Sequence, residues 1–386
     1  MVSTTEFDEL IEVLRDFIRR EVMPAEAGID ESDEIPGRLI AQAKEMGLYG
    51  YALPAEFGGL GLSVRQQVLV TMELGYTSPA FRSLFGTNNG IAGQVLVLAG
   101  TEEQRKQWLP RLASGEVVAS FALTEPDAGS DPSRLVTSAV PDDAPEAGPG
   151  GGWVIDGLKR YITNAPAADI FMVFARTDPA APPGKGIGVF IVPARLDGVS
   201  VAAKDHKMGQ AGAWTADVSF SGVRVPRDAL VGEAAAAGYS TAMRSLAHGR
   251  LIIAALCAGV AARLIDESVT YARERSQGGH PIADYQLVQA MLADSQTEYM
   301  AARALVLDAA ARYDAGTDQR LAPSAAKYFA SEAVGRIADR AVQIHGGSGY
   351  MRGVPVERLY RDVRLFRIYE GTSQIQQLVI AREMLR

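Results

Sequence analysis

EVVASFALTEPDAGSD, residues 116–131, is where the texture of the chain changes. Upstream of it, apolar residues recur at helical spacing, as in Phe7, Leu10, Ile11, Leu14, Phe17 and Ile18 within 3–24. The same pattern returns at 36–47, 64–76 and 102–113, with proline and glycine between the runs. From Val117 onward the apolar runs are short, rich in β-branched and aromatic residues, and broken by turns. EVVASFAL, WVIDGLKRYIT, IFMVFART, GIGVFIVP and ADVSFSGVRVP predict a sheet module. After Pro226 the helical period resumes in long runs near 236–275, 281–315 and 321–344. The order helices, strands, helices, without internal repeat, predicts an α+β multidomain fold divided at 1–115, 116–228 and 229–386.

The bulk numbers fit this division. The chain has 386 residues, 47% of them hydrophobic and 22% charged, enough for two or three units sharing large cores. A net charge of −8 with no basic tract argues against nucleic acid as a partner, so a polyanionic small molecule would need a local positive site. Cys257 is the single cysteine, which excludes a disulfide framework; in the apolar run AALCAGVAARL it reads as a core helix residue rather than a reactive thiol. His206, His248, His280 and His345 lie far apart, without zinc spacing, and no metal is expected. The acidic, amphipathic N-terminal stretch does not resemble a targeting segment, and no run reaches the roughly 18 apolar residues of a membrane span. A cytoplasmic protein without membrane contact is expected.

Several stretches carry local chemistry. PDDAPEAGPGGG (141–152) is followed by a strand, not a helix, so it fails as a dinucleotide fingerprint and reads as a mobile hairpin loop. HGGSGY (345–350) lacks the spacing of a nucleophile elbow, and no glycine-rich stretch ends as a P-loop does. FALTEPDAGSD (121–131) ends a strand in small residues; a tight turn and a backbone cradle for phosphate oxygens both satisfy it. In KRYITNA (159–165), Tyr161 and Thr163 stand two apart on a strand and hence on one face, either as ordinary packing or as a wall for a flat heteroaromatic ring. AVQIHGGSGYM (341–351) closes a helix through paired glycines, as a C-cap or a point of close ligand approach. Glu370, in IYEGTSQIQ (368–376), is an acid in apolar company; burial beside Ile368 and Tyr369 should raise its pKa, and Gly371 leaves space beside it. Ser373 with Gln376 has the form of a capping box, so a helix is expected to start there.

FALTEPDAGSD, YITN (161–164), KMGQ (207–210) with FSGVRVP (220–226), RSQGGHPIADYQ (275–286), AVQIHGGSGY and IYEGTSQIQ occur together in one order and spacing, with GTEEQRKQWLPRLASGE (100–116) ahead of them. In this the chain resembles the acyl-CoA dehydrogenase family over nearly its whole length. The resemblance implies an N-terminal α-helical domain, a β-barrel-like middle domain and a C-terminal helical bundle. It implies FAD as cofactor, an acyl-CoA substrate, an electron-transfer flavoprotein as acceptor, a homodimer or homotetramer, and a place in fatty acid metabolism. Glu370 then corresponds to the base that removes the α-proton while the β-hydrogen leaves as hydride to flavin N5. The thioester oxygen would lie between the Glu370 N–H and a flavin ribityl hydroxyl, with Tyr369 and Gly371 beside the substrate. Phe121, Leu123, Thr124, Gly129 and Ser130 match the loop against the flavin, Ser130 also lying near the thioester arm. Tyr161, Ile162 and Thr163 match the residues lining the isoalloxazine, with Tyr where many relatives have Trp. Arg275, Gln286 and the turn Gln343, Ile344, His345, Gly346, Gly347 match positions that hold the pyrophosphate and adenosine, Arg275 and the Gln343 turn reaching the FAD of a neighbouring subunit. Thr372 and Gln374 complete that site, and Arg250 matches an arginine near bound CoA.

Two positions depart from the family pattern: Gly278 stands where Phe is usual, and Ala247 where Asp is common three residues before Arg250. Some relatives carry the glutamate beside the arginine equivalent to Arg250; with Gly249 there, Glu370 is left as the base. Relatives that are flavin monooxygenases or bind DNA often lack the glutamate, whereas a thioester carried on an acyl-carrier protein stays open as an alternative substrate. FRS (81–83) resembles the segment whose arginine binds the distal carboxylate in glutaryl-CoA dehydrogenases, so Arg82 either selects a dicarboxylic substrate or is a surface or interface arginine.

Overall fold

The computed structural model describes residues 3–142 and 151–386. Seven helices open the chain: α1 (Thr4–Phe17), α2 (Glu26–Ser32), α3 (Gly37–Glu45), α4 (Val64–Leu74), α5 (Pro79–Asn89), α6 (Gly93–Ala99) and α7 (Glu102–Ala113). The starts of α4 and α7 are set by capping boxes, Ser63 with Gln66 and Thr101 with Gln104, each side chain satisfying the other's free amide. Periodicity anticipates α1, α3, α4 and α7. It misses α2 and α6, seven residues each and containing Gly28 and Gly93, and α5, whose PAFRSLFGTNN run is of weak helical preference. Their conformation comes from tertiary packing: Phe81 and Phe85 of α5 are fully buried and meet edge-on in the N-terminal core.

The middle sheet follows, with β1 (Ala119–Ala122), β2 (Ser138–Asp142), β3 (Gly152–Thr163), β4 (Ile170–Arg176), β5 (Ile187–Pro193), β6 (Val199–Val201) and β7 (Thr215–Pro226). The order is β1-β4-β2-β3-β7-β6, with β5 on β4, and it is antiparallel except where β1 and β2 run parallel to β4. β2 and β3 pair antiparallel from Ser138–Asp156 to Asp142–Gly152; the loop expected between them, 143–150, lies outside the described residues.

The rest is helical: α8 (Gly238–Glu274), a small hairpin of β8 (Ser276–Gln277) and β9 (His280–Pro281), then α9 (Gln286–Asp314), α10 (Leu321–His345), α11 (Pro355–Val363) and α12 (Ser373–Met384). Helix α8 is long and apolar enough to cross a membrane by length and composition, contrary to the expectation of no such run. In the fold 89% of that window is buried, as the central rod of the C-terminal core, and Cys257 lies within it. The glycine at 278 also has a local reason. Gly278 and Gly279 have φ of +64° and +87°, the left-handed pair a two-residue hairpin turn requires, and a side chain at 278 would crowd the Tyr285 hydroxyl.

Buried polar links join the three regions around one cleft. Glu26 accepts from the Thr77 hydroxyl and the Ser78 amide and ion-pairs with Arg358 of α11. Asp33 takes the Gly212 amide on its carboxylate and the Trp214 indole on its carbonyl, 2.7 Å each, fixing the 204–214 loop of the middle domain.

Candidate active site

The cleft between the sheet, α5, α8 and the start of α12 holds a cavity of ≈ 740 Å³. Its walls bring together Arg82, Phe121, Leu123, Thr124, Gly129, Ser130, Tyr161, Ile162, Thr163, Arg250, Tyr369, Glu370 and Gly371, residues spread over nearly 290 positions of sequence yet all singled out above. Arg275, Gln286, the Gln343–Gly347 turn, Thr372 and Gln374 are not among its walls. Arg275, Gln286, Gln343, Gly346, Gly347 and Gln374 are exposed. The turn and the Arg275 region meet elsewhere: Tyr271, four residues before Arg275, stacks on His345 with ring centroids 4.2 Å apart.

Glu370 sits at the end of the cleft. Its backbone is left-handed, φ +52°, followed by Gly371 at +90°, a conformation non-glycine residues rarely take and one that turns its side chain inward. The residue is half-buried, and its Oε2 is fully buried with no hydrogen-bond partner among the described residues. A Cβ on Gly249 would overlap that oxygen, so the absence of a side chain at 249 makes the space in which the acid lies. Burial raises the Glu370 pKa above its ordinary 4.5, and Arg82, Lys327 and Arg250 oppose that rise by favouring the charged form. A carboxylate whose pKa is raised this way holds a proton more tightly than an ordinary glutamate does.

The turn that carries Glu370 is fastened from α10 and α12. Helix α12 is capped by Thr372, whose hydroxyl accepts from the Ile375 amide, and not by the expected Ser373–Gln376 box. The Ser373 hydroxyl instead donates to Glu332 (2.6 Å), which also pairs with Arg367, while Gln376 turns back to the carbonyls of Glu370 and Gly371. The hydroxyl is drawn off by a partner on α10, which local spacing cannot reveal, and the amide by the turn five and six residues upstream.

The opposite wall is the 121–131 loop with the end of β3. Fully buried Lys159 donates to the Leu123 carbonyl (3.2 Å) and to Glu125 (2.8 Å), and Glu125 also accepts the amides of Val136 and Thr137, so the loop is pinned from beneath. Tyr161 and Thr163 share the cleft, but not through strict alternation. A register shift between Lys159 and Ile162, with Tyr161 at φ +57°, turns the tyrosine ring outward to 64% exposure while Ile162 stays in the core.

Arg82 is not at the surface. It is 7% exposed, lines the cleft, and has neither a hydrogen bond nor an ion pair among the described residues. His248 lies near it, held neutral by burial and by Arg82's charge, its pKa pushed down to about 4, with Nε2 2.7 Å from Gln67 Oε1.

Some wall residues went unassigned in the sequence. Gln210 lines the cavity at φ +54°, its amide bonded to the Asp362 carboxylate and its Nε2 to the Asp362 carbonyl at 3.1 Å. KMGQ carried the signal, but nothing in it points to Asp362, about 150 residues away. Lys207, Met243, Leu246 and Ile91 are among the further wall residues, and Lys327 donates to the Gly371 carbonyl of the Glu370 turn.

A helical N-terminal region, a middle sheet and a C-terminal helical region thus close around a cleft into which a carboxylate oxygen is buried without a partner. Models of the acyl-CoA dehydrogenase N-terminal, middle and C-terminal domains match residues 4–116, 120–223 and 236–385 in turn. The chain is 39% identical over 383 residues to a 3-(aryl)acrylate reductase of Clostridium sporogenes, covering 99% of each. It is 39% identical over 373 residues to subunit CarC of the caffeyl-CoA reductase-Etf complex of Acetobacterium woodii, covering 96% of each. Among solved structures it resembles butyryl-CoA dehydrogenase from Megasphaera elsdenii (TM-score 0.94, 31% identity, 100% of both chains). It also resembles glutaryl-CoA dehydrogenase from Mycobacterium smegmatis (TM-score 0.90, 31% identity, 99% of this chain and 95% of that one). The chain belongs to the acyl-CoA dehydrogenase family, FAD-dependent flavoproteins that oxidise the CH–CH bond of acyl-CoA thioesters.

The cleft fits that cofactor on its own terms. Thr124, Ser130 and Thr163 line it with hydroxyls that have no partner among the described residues, and Tyr161, also in the lining, is exposed. Such a set offers hydrogen bonds along one edge and an apolar face for a flat ring.

Proposed function

We propose that the chain carries out α,β-dehydrogenation of an acyl-CoA thioester to the trans-2-enoyl-CoA, with Glu370 as the base. The observation that carries this reading is the unpartnered Oε2 of Glu370, buried at the end of the cleft in the space left by Gly249. Bound FAD would supply the hydride acceptor. The chain's own part is to take the α-proton on Glu370 Oε2, to hold the thioester oxygen at the Glu370 N–H, and to exclude water; Phe121, Leu123, Thr124, Gly129, Ser130, Tyr161, Ile162 and Thr163 would hold the flavin, and Arg250 would sit near CoA. The domains divide at 1–115, 116–228 and 229–386.

The Etf complex formed by one close relative supports an electron-transfer flavoprotein as the acceptor. Arg275, Gln286, the Gln343–Gly347 turn, Thr372 and Gln374 lie off this chain's cleft, and exposed Leu287, Tyr350 and Met351 accompany them. That placement supports a homodimer or dimer of dimers in which these residues complete a neighbour's FAD site.

Within the substrate class, Arg82 favours an acyl group ending in a carboxylate, because a buried guanidinium without a partner binds such a group at little further desolvation cost. Straight, branched, aromatic and dicarboxylic acyl-CoAs, and the matching carrier-protein thioesters, are to be assayed with an artificial electron acceptor. Arg82→Ala is expected to raise KM for glutaryl-type substrates by about 30-fold or more and to leave that for butyryl-type substrates within about threefold, the loss of a buried charged pair costing about 2–5 kcal/mol. Equal effects on both would return Arg82 to a structural role, and no reduction by any thioester would overturn the reaction itself.

A further inference from the structure

Two lysines are wholly buried, and they differ in company. Lys159 has its carboxylate, Glu125, at 2.8 Å. Lys327, on α10, has no carboxylate within ion-pair distance among the described residues; its one hydrogen bond goes to the carbonyl of Gly371, at 2.7 Å. Burying an ammonium without a counter-charge is costly, and a neutral side chain of similar shape would fill the same space.

The carbonyl it holds belongs to the residue after the base. Gln376, also fully buried, donates to the same oxygen at 2.9 Å and to the Glu370 carbonyl at 3.2 Å. Lys327 and Gln376 thus grip both carbonyls of the left-handed Glu370–Gly371 pair, the conformation that aims the carboxylate into the cleft. We propose that Lys327 is a positioning residue for proton abstraction, holding the Gly371 carbonyl so that Glu370 keeps its strained backbone, and lending its charge to the Glu370 carboxylate. This rests on the reading of Glu370 as the base.

The charged surroundings are specific. Glu370 is faced by Arg82 from α5, Arg250 from α8 and Lys327 from α10, with Tyr369 at its side. Lys327 is faced by Cys257 and Arg250 from α8, by Glu332 of its own helix and by Glu370. Arg250 is engaged with the Ser324 hydroxyl at 3.2 Å, and Arg82 approaches from the cleft side. Lys327 alone joins charge to a grip on the turn. Burial pushes its pKa down to about 8, so it remains charged at neutral pH.

The test uses the holoprotein and two substitutions. Lys327→Met removes both charge and donor; Lys327→Gln removes the charge and keeps a donor. The rate of anaerobic flavin reduction is to be followed against pH, and the Glu370 carboxyl titration by infrared difference against Glu370→Gln. The acid limb of the rate profile should move about one pH unit upward in both variants, the carboxyl titration moving with it. At neutral pH the rate should fall about tenfold, with KM changed less than about threefold. Above the limb, Lys327→Gln should regain the wild-type rate while Lys327→Met stays slower. Acid limbs and carboxyl titrations that coincide with wild type in both variants would overturn the proposal and leave Lys327 a packing residue. Should the Met variant not fold, the Gln variant decides the charge alone. Should no thioester reduce the wild type, the dehydrogenase reading fails, and the infrared titration still decides Lys327.

Discussion

Glu370→Gln should retain its FAD and yellow colour and lose anaerobic reduction by acyl-CoA by about 10²–10⁴-fold or more, because the amide fills the same space but cannot accept the α-proton. The substitution is nearly isosteric, and Oε2 has no hydrogen bond to lose, so stability should change little. In wild type the reduction rate should rise with pH through a limb above the ordinary glutamate value of 4.5, since burial raises this pKa and the base works only when deprotonated. In the glutamine variant that limb should vanish. Stopped-flow reduction across pH reads both outcomes, and a variant that reduces at near-normal rate would transfer the base's role elsewhere.

Lys159→Met should produce the largest loss of stability. The pair with Glu125 is almost wholly excluded from water, and removing one partner strands a buried carboxylate at a cost of about 3–5 kcal/mol. Burial alone would raise the Glu125 pKa, but Lys159 and the Thr137 and Val136 amides hold it below its usual 4.5. A depressed carboxyl contributes stability above pH 4.5 and loses it as pH falls through the folded value, so the urea midpoint of wild type should drop in that acid window. The midpoint of Lys159→Met should be low at neutral pH and recover part of its loss as the stranded carboxyl takes a proton in acid, and Lys159→Met with Glu125→Gln should recover part of the loss at all pH values. Because Lys159 also holds the Leu123 carbonyl, FAD should bind more weakly to the single variant. A midpoint unchanged from wild type would show that the pair is replaceable.

Much of this was legible in the chain, and what was not has common causes. The run at 116–131 marks the boundary between textures because β-rich segments and helical periods differ locally, and both are counted along the sequence. α5 was missed because PAFRSLFGTNN has little helical preference and is held by Phe81 and Phe85 in the core. Glu370 could be found from its apolar neighbours and glycine. Its left-handed backbone could not, since that depends on Lys327 and Gln376 meeting two carbonyls from different helices. Arg82 was placed by its neighbours in sequence, yet its burial follows from where α5 docks. The Tyr161 bulge escaped for a related reason: strict alternation along β3 brings Tyr161 and Thr163 to one face without showing the kink.

Helix α8 runs for 37 residues, with Gly249 and Arg250 at its own subunit's cleft and Arg275 just past its far end. At 1.5 Å per residue these points lie about 37 Å apart. If Arg275 serves the neighbour's cofactor, each such rod belongs to two reaction centres at once, and each centre is assembled from two chains. Co-expression of Glu370→Gln chains with Arg275→Ala chains then yields mixed dimers in which one centre carries both lesions and the other carries neither. Two impaired alleles, one without the base and one with weakened FAD binding, would restore turnover to each other, approaching one intact centre per mixed dimer, whereas centres built within single subunits would give no such rescue.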